Sequence, residues 1–134
     1  MIPRLSPSES TPKFVQNFLE VLSKSEFSGD IHHDNGARIV TATDNSIYQV
    51  LPQAVVFPKN SRDIQTVLKI ADQQRFSKSI KITARGGGTG TNGQSLTEGI
   101  VLDCSRYMNR IIESNFKEGW VCVDPGVVLD RLNE

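Results

Sequence analysis

The sequence has little cysteine and no long apolar run. Cys104 and Cys122 are its two cysteines, and they show neither CxxC nor zinc-site spacing. Two cysteines are too few for a disulfide framework, so we interpret both as small apolar residues of a reducing compartment. No stretch approaches the roughly 20 apolar residues needed to cross a bilayer, and residues 1–10 lack the apolar segment of a signal peptide.

An excess of either charge is also missing. The 134 residues include 15 Lys and Arg and 15 Asp and Glu, without a basic run. Nucleic acid and anionic membrane surfaces are therefore poor candidates for a partner. With 37% hydrophobic and 22% charged residues, the composition is typical of a globular domain. We expect a cytoplasmic protein, and peripheral attachment to a membrane through another segment stays open.

The N-terminal third predicts one helix followed by a long connection. Thr11 and Pro12 are typical of a helix start, with Thr11 as the N-cap, and the helix should run to about Lys24. Apolar residues recur on one face of it: Phe14, Val15, Phe18, Leu19 and Leu22. Gly29 to Gln49 is polar and irregular, which indicates a long loop. We assign residues 1–48 to this helix and connection.

Residues 49–134 predict the first part of a domain. Ala54–Phe57 and Ser79–Thr83 indicate strands on either side of a helix that Ser61 caps. The helix should bury one stripe, formed by Ile64, Val67, Leu68 and Ala71. This β-α-β unit implies parallel strands and a right-handed crossover.

A third strand, at Gly99–Leu102, should follow the β-α-β unit. Arg110–Glu113 and Trp120–Val123 then suggest a hairpin, and a helix begins near Val127. The expected fold is α+β: a small β-α-β subdomain, then the start of a mainly antiparallel β subdomain. Because a helix begins so close to Glu134, we expect the domain to continue past this residue.

A glycine-rich loop follows the second predicted strand. Five of its eight residues are glycine, at Gly86, Gly87, Gly88, Gly90 and Gly93. Backbone N–H groups of such a loop can converge on an anion, and bare glycine needs a reason because it costs conformational entropy. Thr89, Thr91 and Asn92 add short donors, and Arg85 adds a guanidinium that suits phosphate oxygens. A diphosphate fits this chemistry best, and a flexible surface turn is the alternative.

The loop also imitates a dinucleotide fingerprint. Gly88 to Gly93 matches G-x-G-x-x-G, and Asp103 imitates the acidic residue that binds a ribose. That fingerprint must open a helix that packs on the sheet, whereas only residues 94–98 precede the third strand. A Walker A loop is excluded because no Gly-Lys-Ser/Thr follows. An NAD(P)-binding module and a non-catalytic interaction domain remain the alternative functions.

Other polar residues have plainer interpretations. Asp30, His32, His33 and Asp34 lack a metal-ligand spacing, so we predict a solvated loop and no metal. The residues Asp44, Ser46 and Tyr48 are expected to hold the long connection. Further along, Arg38, Arg106 and Arg110 are interpreted as exposed charges, with an acidic ligand as the alternative for Arg38. Trp120 is expected to pack on one face of its strand.

Several segments together resemble a known family of flavoproteins. Five segments are similar to the FAD-binding domain of the vanillyl-alcohol oxidase and p-cresol methylhydroxylase family. They are residues 52–58, residues 61–71, ITARGGGTGTNGQ, GIVLDCSRYMNRI and GWVCVDPGV. The resemblance is strongest to its flavin-linked D-2-hydroxyacid dehydrogenases, which act on D-lactate, glycolate or D-2-hydroxyglutarate. TDNSIYQVLPQAVVFP is similar to large bacterial members that carry a C-terminal iron–sulfur region. Relatives commonly have proline where this chain has Ala84.

The resemblance implies an FAD-linked oxidoreductase that oxidises a small 2-hydroxy acid by hydride transfer to FAD. The FAD diphosphate would lie on Arg85, Gly86, Gly87, Gly88, Thr89, Gly90, Thr91, Asn92, Gly93 and Gln94, with Pro125 and Gly126 along the cofactor. The substitution of Ala84 for proline leaves the loop N–H groups in place. An iron–sulfur cluster would belong to a C-terminal part of the parent protein. No residue here is assigned a catalytic role.

For the 134 residues on their own, we expect no dehydrogenase activity and weak FAD binding, because one wall of a site buries too little of the cofactor. Unpaired strand edges after Gly99 would favour self-association.

Overall fold

The computed structural model describes residues 11–133. Its elements in chain order are α1 Lys13–Ser23, β1 Asp30–His32, α2 Asn35–Val40, β2 Ala54–Phe57, α3 Ser61–Ala71, β3 Ile82–Arg85, β4 Ile100–Asp103, β5 Ile111–Asn115, β6 Trp120–Val123 and α4 Leu129–Leu132. None of these helices is long and apolar enough to cross a membrane. The expectation about a signal peptide falls on residues 1–10, outside the described part, and the cytoplasmic location stays a prediction.

The strands form two sheets. The first has the order β1-β2-β4-β3, in which β4 pairs in parallel with both neighbours and β1 pairs antiparallel with β2. The second is the antiparallel hairpin β5–β6. This arrangement confirms the α+β class and the parallel unit followed by antiparallel strands. The strands β2 and β3 are parallel, as predicted, but β4 lies between them.

Both faces of the central strands are covered. Every residue of β2 and β4 is buried, and all of them except Asp103 are apolar. One face packs on α1 and α3 through Ala54, Val56, Ile100 and Leu102. In this core Phe18 meets Phe76 edge to face, with 5.5 Å between ring centroids. The opposite face places Val55, Phe57 and Val101 against Ala37 and Tyr107.

The helix α1 begins one residue later than predicted. Its N-cap is Pro12, with φ −53° and ψ 144°, and no side chain caps the helix. Thr11 is therefore outside the cap position, because proline itself adopts the extended conformation that precedes the first turn. The predicted apolar face is otherwise buried, except that Phe14 is exposed. The boundary near residue 48 stays a prediction, although α1 joins the same core as the later strands.

The N-terminus of α3 is capped by Asn60 and not by Ser61, which is the first helical residue. The Asn60 side chain accepts a hydrogen bond from the backbone N–H of Asp63. The buried Asp63 carboxylate in turn accepts from the backbone N–H groups of Ser28 and Lys59. These bonds attach the chain after α1 to the start of α3.

Two predictions about the β-α-β unit shift by a few residues. In α3, Leu68 is exposed and Ile70 is buried in its place. The second parallel strand is Ile82–Arg85, later than the predicted Ser79–Thr83. Arg85 is therefore the last residue of a strand, which fixes the direction of its side chain.

The prediction of an irregular connection from Gly29 to Gln49 is wrong. The segment contains β1 and α2, and α2 is capped by Asp34, whose Oδ1 accepts from the N–H of Ala37 at 3.0 Å. A strand of three residues is too short to show an alternating pattern. The exposed interpretation of Arg38 is also wrong, since this side chain is buried and its Nε donates to the carbonyl of Pro52 at 2.7 Å.

The other two arginines are paired. Arg106 stacks on the ring of Phe57 at 3.6 Å, and its Nη1 lies 3.2 Å from Oδ2 of Asp30. Arg110 bonds Asp124. Both side chains are exposed, as predicted, and each also joins two segments of the chain through an ion pair.

Trp120 does not pack as predicted within residues 11–133. The residue is 42% exposed, and its indole N–H donates to Glu118 at 2.9 Å. Both thiols are free, with Cys104 buried and Cys122 exposed.

Candidate cofactor-binding site

The glycine-rich loop connects two neighbouring parallel strands without a helix. It leaves β3 at Arg85 and reaches β4 at Ile100, and residues 86–99 contain only turns and bends. Parallel neighbours normally need a crossover helix, and the dinucleotide fingerprint requires one directly after its glycines. The loop therefore lacks the feature that an NAD(P)-binding module would need.

A row of backbone donors in this loop has no partner within residues 11–133. The N–H groups from Gly86 to Thr91 donate no hydrogen bond there, whereas the N–H of Asn92 donates to Oε1 of Gln94 at 3.1 Å. Backbone donors are nearly always satisfied in folded proteins, by protein, water or ligand. Successive free N–H groups on small residues form a concave site for an anion.

Two glycines of the loop have backbone conformations that other residues seldom adopt. Gly88 and Gly93 have φ of +68° and +74°. A methyl group at Gly88 would lie 2.6 Å from Cζ of Arg85 and closer still to its Nη2, and one at Gly93 would lie 3.0 Å from Cδ2 of Tyr48. The loop therefore needs glycine at both positions for conformation and for space.

Arg85 turns towards the interior beneath the loop. Its Nη1 donates to Oγ of Ser95 at 3.3 Å, and its Nε lies 3.9 Å from Oδ2 of Asp103. The side chain is only 11% exposed. Asp103, the residue that imitates a ribose ligand, is itself buried and accepts from the backbone N–H and the hydroxyl of Ser105.

The loop side chains differ in exposure and in what they contact. Thr89, Thr91 and Asn92 are exposed. The Gln94 side chain lies against Gly90, where an added methyl group would come within 2.5 Å of its Cδ. Gln94, which is itself exposed, therefore supports the shape of the loop at Gly90 and Asn92.

The structure brings Pro125 and Gly126 next to the glycine loop. A methyl group at Gly86 would lie 3.2 Å from the carbonyl oxygen of Pro125. The N–H of Gly126 donates to the carbonyl of Met108 at 2.8 Å, and a methyl group there would lie 2.5 Å from the carbonyl oxygen of Cys104. The two predicted parts of the site are thus adjacent, and Gly126 permits the close approach.

An ion pair fixes the residue before Pro125. Nε of Arg110 donates to Oδ2 of Asp124 at 2.8 Å, and the backbone N–H of Arg110 bonds the same oxygen at 3.2 Å. These bonds lower the pKa of Asp124 below its ordinary value, and the Arg110 side chain has the largest effect. The hairpin and the Pro125 turn are therefore held together by a charge.

Sequence reasoning missed Ser95 and found its partner only in part. Ser95 is buried, and its hydroxyl donates to Oδ2 of Asp44 at 3.2 Å. Asp44 was expected to hold the connecting loop, and it also contacts the residue that binds Arg85. A polar residue directly after a glycine-rich loop was the available signal.

The residues Asp30, His32 and Asp34 lie apart from this loop. Nδ1 of His32 is 3.4 Å from Oδ2 of Asp34, which caps α2, while Asp30 accepts from Tyr107 and Arg106. In the part of the chain that the structure covers, no three His, Cys, Asp or Glu residues are grouped as metal ligands.

A loop with free backbone donors at the end of a parallel strand, beside a proline-glycine turn, is the arrangement expected of a module that binds a nucleotide cofactor. The model of the family described as FAD binding domain matches residues 52–134, and the chain belongs to this family. The resemblance noted in the sequence is thereby confirmed, and FAD is the cofactor of the family.

Similar individual proteins agree with this family assignment. The D-2-hydroxyglutarate dehydrogenase of Escherichia coli (strain K12) is 50% identical over the whole chain, which spans 13% of that protein. An alkyldihydroxyacetonephosphate synthase structure matches 97% of the chain and 26% of its own length, with TM-score 0.72 and 19% identity. A structure of p-cresol methylhydroxylase with substrate bound matches 90% and 23%, with TM-score 0.67 and 20% identity. At these identities the two structures establish the fold.

Proposed function

We propose that the chain supplies the diphosphate-binding part of the FAD site in a flavin-dependent dehydrogenase of D-2-hydroxy acids. The row of free backbone N–H groups from Gly86 to Thr91 carries this proposal. A diphosphate presents several anionic oxygens, and bonds from N–H groups to charged oxygens are stronger than those to neutral acceptors.

Different groups of the loop would have different roles in binding the diphosphate. Backbone N–H groups of Gly86 to Thr91 would hold the diphosphate, and the hydroxyls of Thr89 and Thr91 with the amide of Asn92 would add donors. Arg85, behind the loop, would contribute positive charge without leaving Ser95 and Asp103. Pro125 and Gly126 would close the site at Gly86 and face the cofactor. When bound, FAD supplies the acceptor for the hydride that leaves the substrate Cα.

We further propose D-2-hydroxyglutarate as the substrate. The support is the identity of 50% over the whole chain with the Escherichia coli enzyme of that name. Because the chain spans 13% of that relative, the activity is proposed for the full-length protein. Substrate selection requires groups that contact the hydroxy acid, and the loop offers groups only for the cofactor.

Anaerobic reduction of the flavin tests this function. The full-length protein with bound FAD should lose the visible absorbance of its oxidised flavin when D-2-hydroxyglutarate is added. The L-enantiomer serves as the matched control and should leave the spectrum unchanged. Bleaching by both enantiomers, or by D-lactate alone, would contradict the proposed substrate while leaving the FAD site intact.

Self-association of the isolated chain is proposed from its hairpin. The strands β5 and β6 carry large exposed apolar side chains, including Ile111, Ile112, Trp120 and Val121. A two-stranded sheet with such a face is poorly stable alone. Light scattering of the purified 134 residues should show a dimer or a larger species, and a monomer at about 100 μM would contradict this proposal.

A further inference from the structure

A compact turn lies beside the glycine loop and outside the residues that the family model matches. It spans residues 43–49, and we call it the clamp turn. A bridge between Thr43 and Gln49 closes it, and the N–H of Val50 donates to the carbonyl of Ala42 at 2.9 Å. The family match begins at residue 52, so the turn is not part of it.

Internal hydrogen bonds determine the shape of the clamp turn. Oδ1 of Asp44 accepts from the N–H of Ser46 at 2.9 Å, and Oγ of Ser46 accepts from the N–H of Tyr48 at 3.1 Å. Side chains of this type fix a turn by bonding the backbone two residues ahead. The second oxygen of Asp44 is thereby left available for another partner.

That second oxygen connects the clamp turn to the floor of the glycine loop. Oδ2 of Asp44 accepts from the buried hydroxyl of Ser95, and the same hydroxyl oxygen accepts from Nη1 of Arg85. Because arginine can only donate, the Ser95 proton must point towards Asp44. In the row Arg85–Ser95–Asp44, hydrogen bonds are therefore donated in one direction, from Arg85 to Ser95 and from Ser95 to Asp44. Each bond fixes the orientation of the next side chain.

A second contact reaches the far end of the loop. Gly93 has a left-handed backbone, and the ring of Tyr48 lies so close that a methyl group at Gly93 would come within 3.0 Å of it. The clamp turn thus meets the loop at Gly93 through a ring and at Ser95 through a charge. Between these contacts and Arg85 lies the row of N–H groups from Gly86 to Thr91 that have no partner within residues 11–133.

We infer that Asp44, Ser95 and Tyr48 are positioning residues that hold the glycine loop with its N–H groups ready for the FAD diphosphate. This inference rests on the proposed function. Glycine-rich loops lose much conformational entropy when they become ordered. A loop already held by the clamp turn loses less on binding, which raises affinity without any added contact to the cofactor.

The charge of Asp44 agrees with this role. Hydrogen bonds from Ser46, and then from Ser95, lower the pKa of the Asp44 carboxyl below its ordinary value, with a further contribution from the charge of Arg85. The group is therefore ionised at neutral pH, as an acceptor of a backbone N–H and a hydroxyl should be.

The test measures FAD affinity and apo-protein stability side by side in the full-length protein. Asp44→Ala and Ser95→Ala should each raise the FAD dissociation constant about tenfold, since each breaks the charged row Arg85–Ser95–Asp44. The double variant should show about the same loss as either single variant, because the row acts as a unit. Asp34→Ala is the matched control, since Oδ1 of Asp34 likewise accepts from a backbone N–H, that of Ala37, and no hydrogen bond joins Asp34 to the glycine loop within residues 11–133.

The unfolding temperature of the apo-protein distinguishes a role in positioning the loop from a role in stabilising the fold. It should fall no further in Asp44→Ala than in Asp34→Ala, while only Asp44→Ala loses FAD affinity. Asp44→Asn keeps an acceptor for Ser46 and should give an intermediate dissociation constant. If Asp44→Ala fails to fold, Asp44→Asn and Ser95→Ala decide the question by the same comparison.

Three results would overturn the inference. Unchanged FAD affinity in Asp44→Asn and Ser95→Ala would show that the row does not prepare the loop. Losses that multiply in the double variant would show two independent contacts. A wild-type protein that takes up no FAD would overturn the proposed function itself, and this inference with it. If wild type and Asp34→Ala take up FAD normally, a failed prediction for the Asp44 and Ser95 variants concerns the clamp turn alone.

Discussion

Gly88→Ala tests how the glycine loop is built. The added methyl group would meet the guanidinium of Arg85, at 2.6 Å from Cζ, and the backbone would keep a φ of +68° only under strain. A left-handed conformation costs an L-residue about 1–2 kcal/mol. Displacing Arg85 from Ser95 removes a bond to a charged group, worth about 1.5–3 kcal/mol. The sum is about 2.5–5 kcal/mol.

That free energy divides between folding and binding. Even 1.4 kcal/mol expressed in binding would raise the FAD dissociation constant about tenfold. The remainder lowers the stability of the apo-protein, because the methyl group points into the protein. We therefore expect Gly88→Ala to lower both the apo-protein unfolding temperature and the FAD affinity.

Gly87→Ala is the matched control one residue away. Its methyl group would meet only Cγ2 of Thr89, at an ordinary 3.7 Å, and Gly87 has no left-handed backbone. Apo-protein stability should therefore not change. If the diphosphate lies over the loop, the methyl group competes for its space, and FAD affinity should fall alone.

Thermal unfolding of the apo-protein and titration of FAD by flavin fluorescence give the two readouts for the full-length protein. Gly87→Ala with wild-type FAD affinity would refute the placement of the diphosphate over the loop. Gly88→Ala with wild-type stability and affinity would refute the inward role of Arg85.

Three further variants test the surroundings of the site. Gly126→Ala should destabilise the apo-protein by about 1–3 kcal/mol, seen as a lower unfolding temperature, because its methyl group would meet the backbone oxygen of Cys104 at 2.5 Å. Asp124→Asn should lower the unfolding temperature at pH 7. Because Arg110 lowers the folded-state pKa, this stabilisation is complete above the ordinary value of 3.8 and disappears as pH falls through the lower folded-state value, so wild type and variant should converge only at a pH below 3.8. Phe18→Ala should cost about 3–5 kcal/mol in chemical unfolding, since the ring is fully buried against Phe76.

The central strands and the hairpin were predictable because their signals are local. Ala54–Phe57 and the strand near Gly99–Leu102 are short apolar runs between turn residues, which is typical of buried strands. The position of the glycine loop followed from the strand before it. The short segment from Gln94 to Glu98 correctly argued against a crossover helix.

Side-chain direction was not predictable, because it depends on contacts between distant segments. Arg38 and Arg85 have sequence neighbours typical of exposed arginine, yet Arg38 bonds the carbonyl of Pro52 and Arg85 bonds Ser95. The strand order was not predictable for the same reason, since no local sequence signal shows that β4 lies between β2 and β3. The link between Asp44 and Ser95 joins residues 51 positions apart.

The absorption spectrum of the purified full-length protein tests the central claim most directly. We predict a yellow protein that carries about one FAD per chain, released on denaturation, and that does not exchange it for NAD. A colourless protein that takes up no added FAD but binds NAD with a dissociation constant of about 1–100 μM would contradict the FAD site.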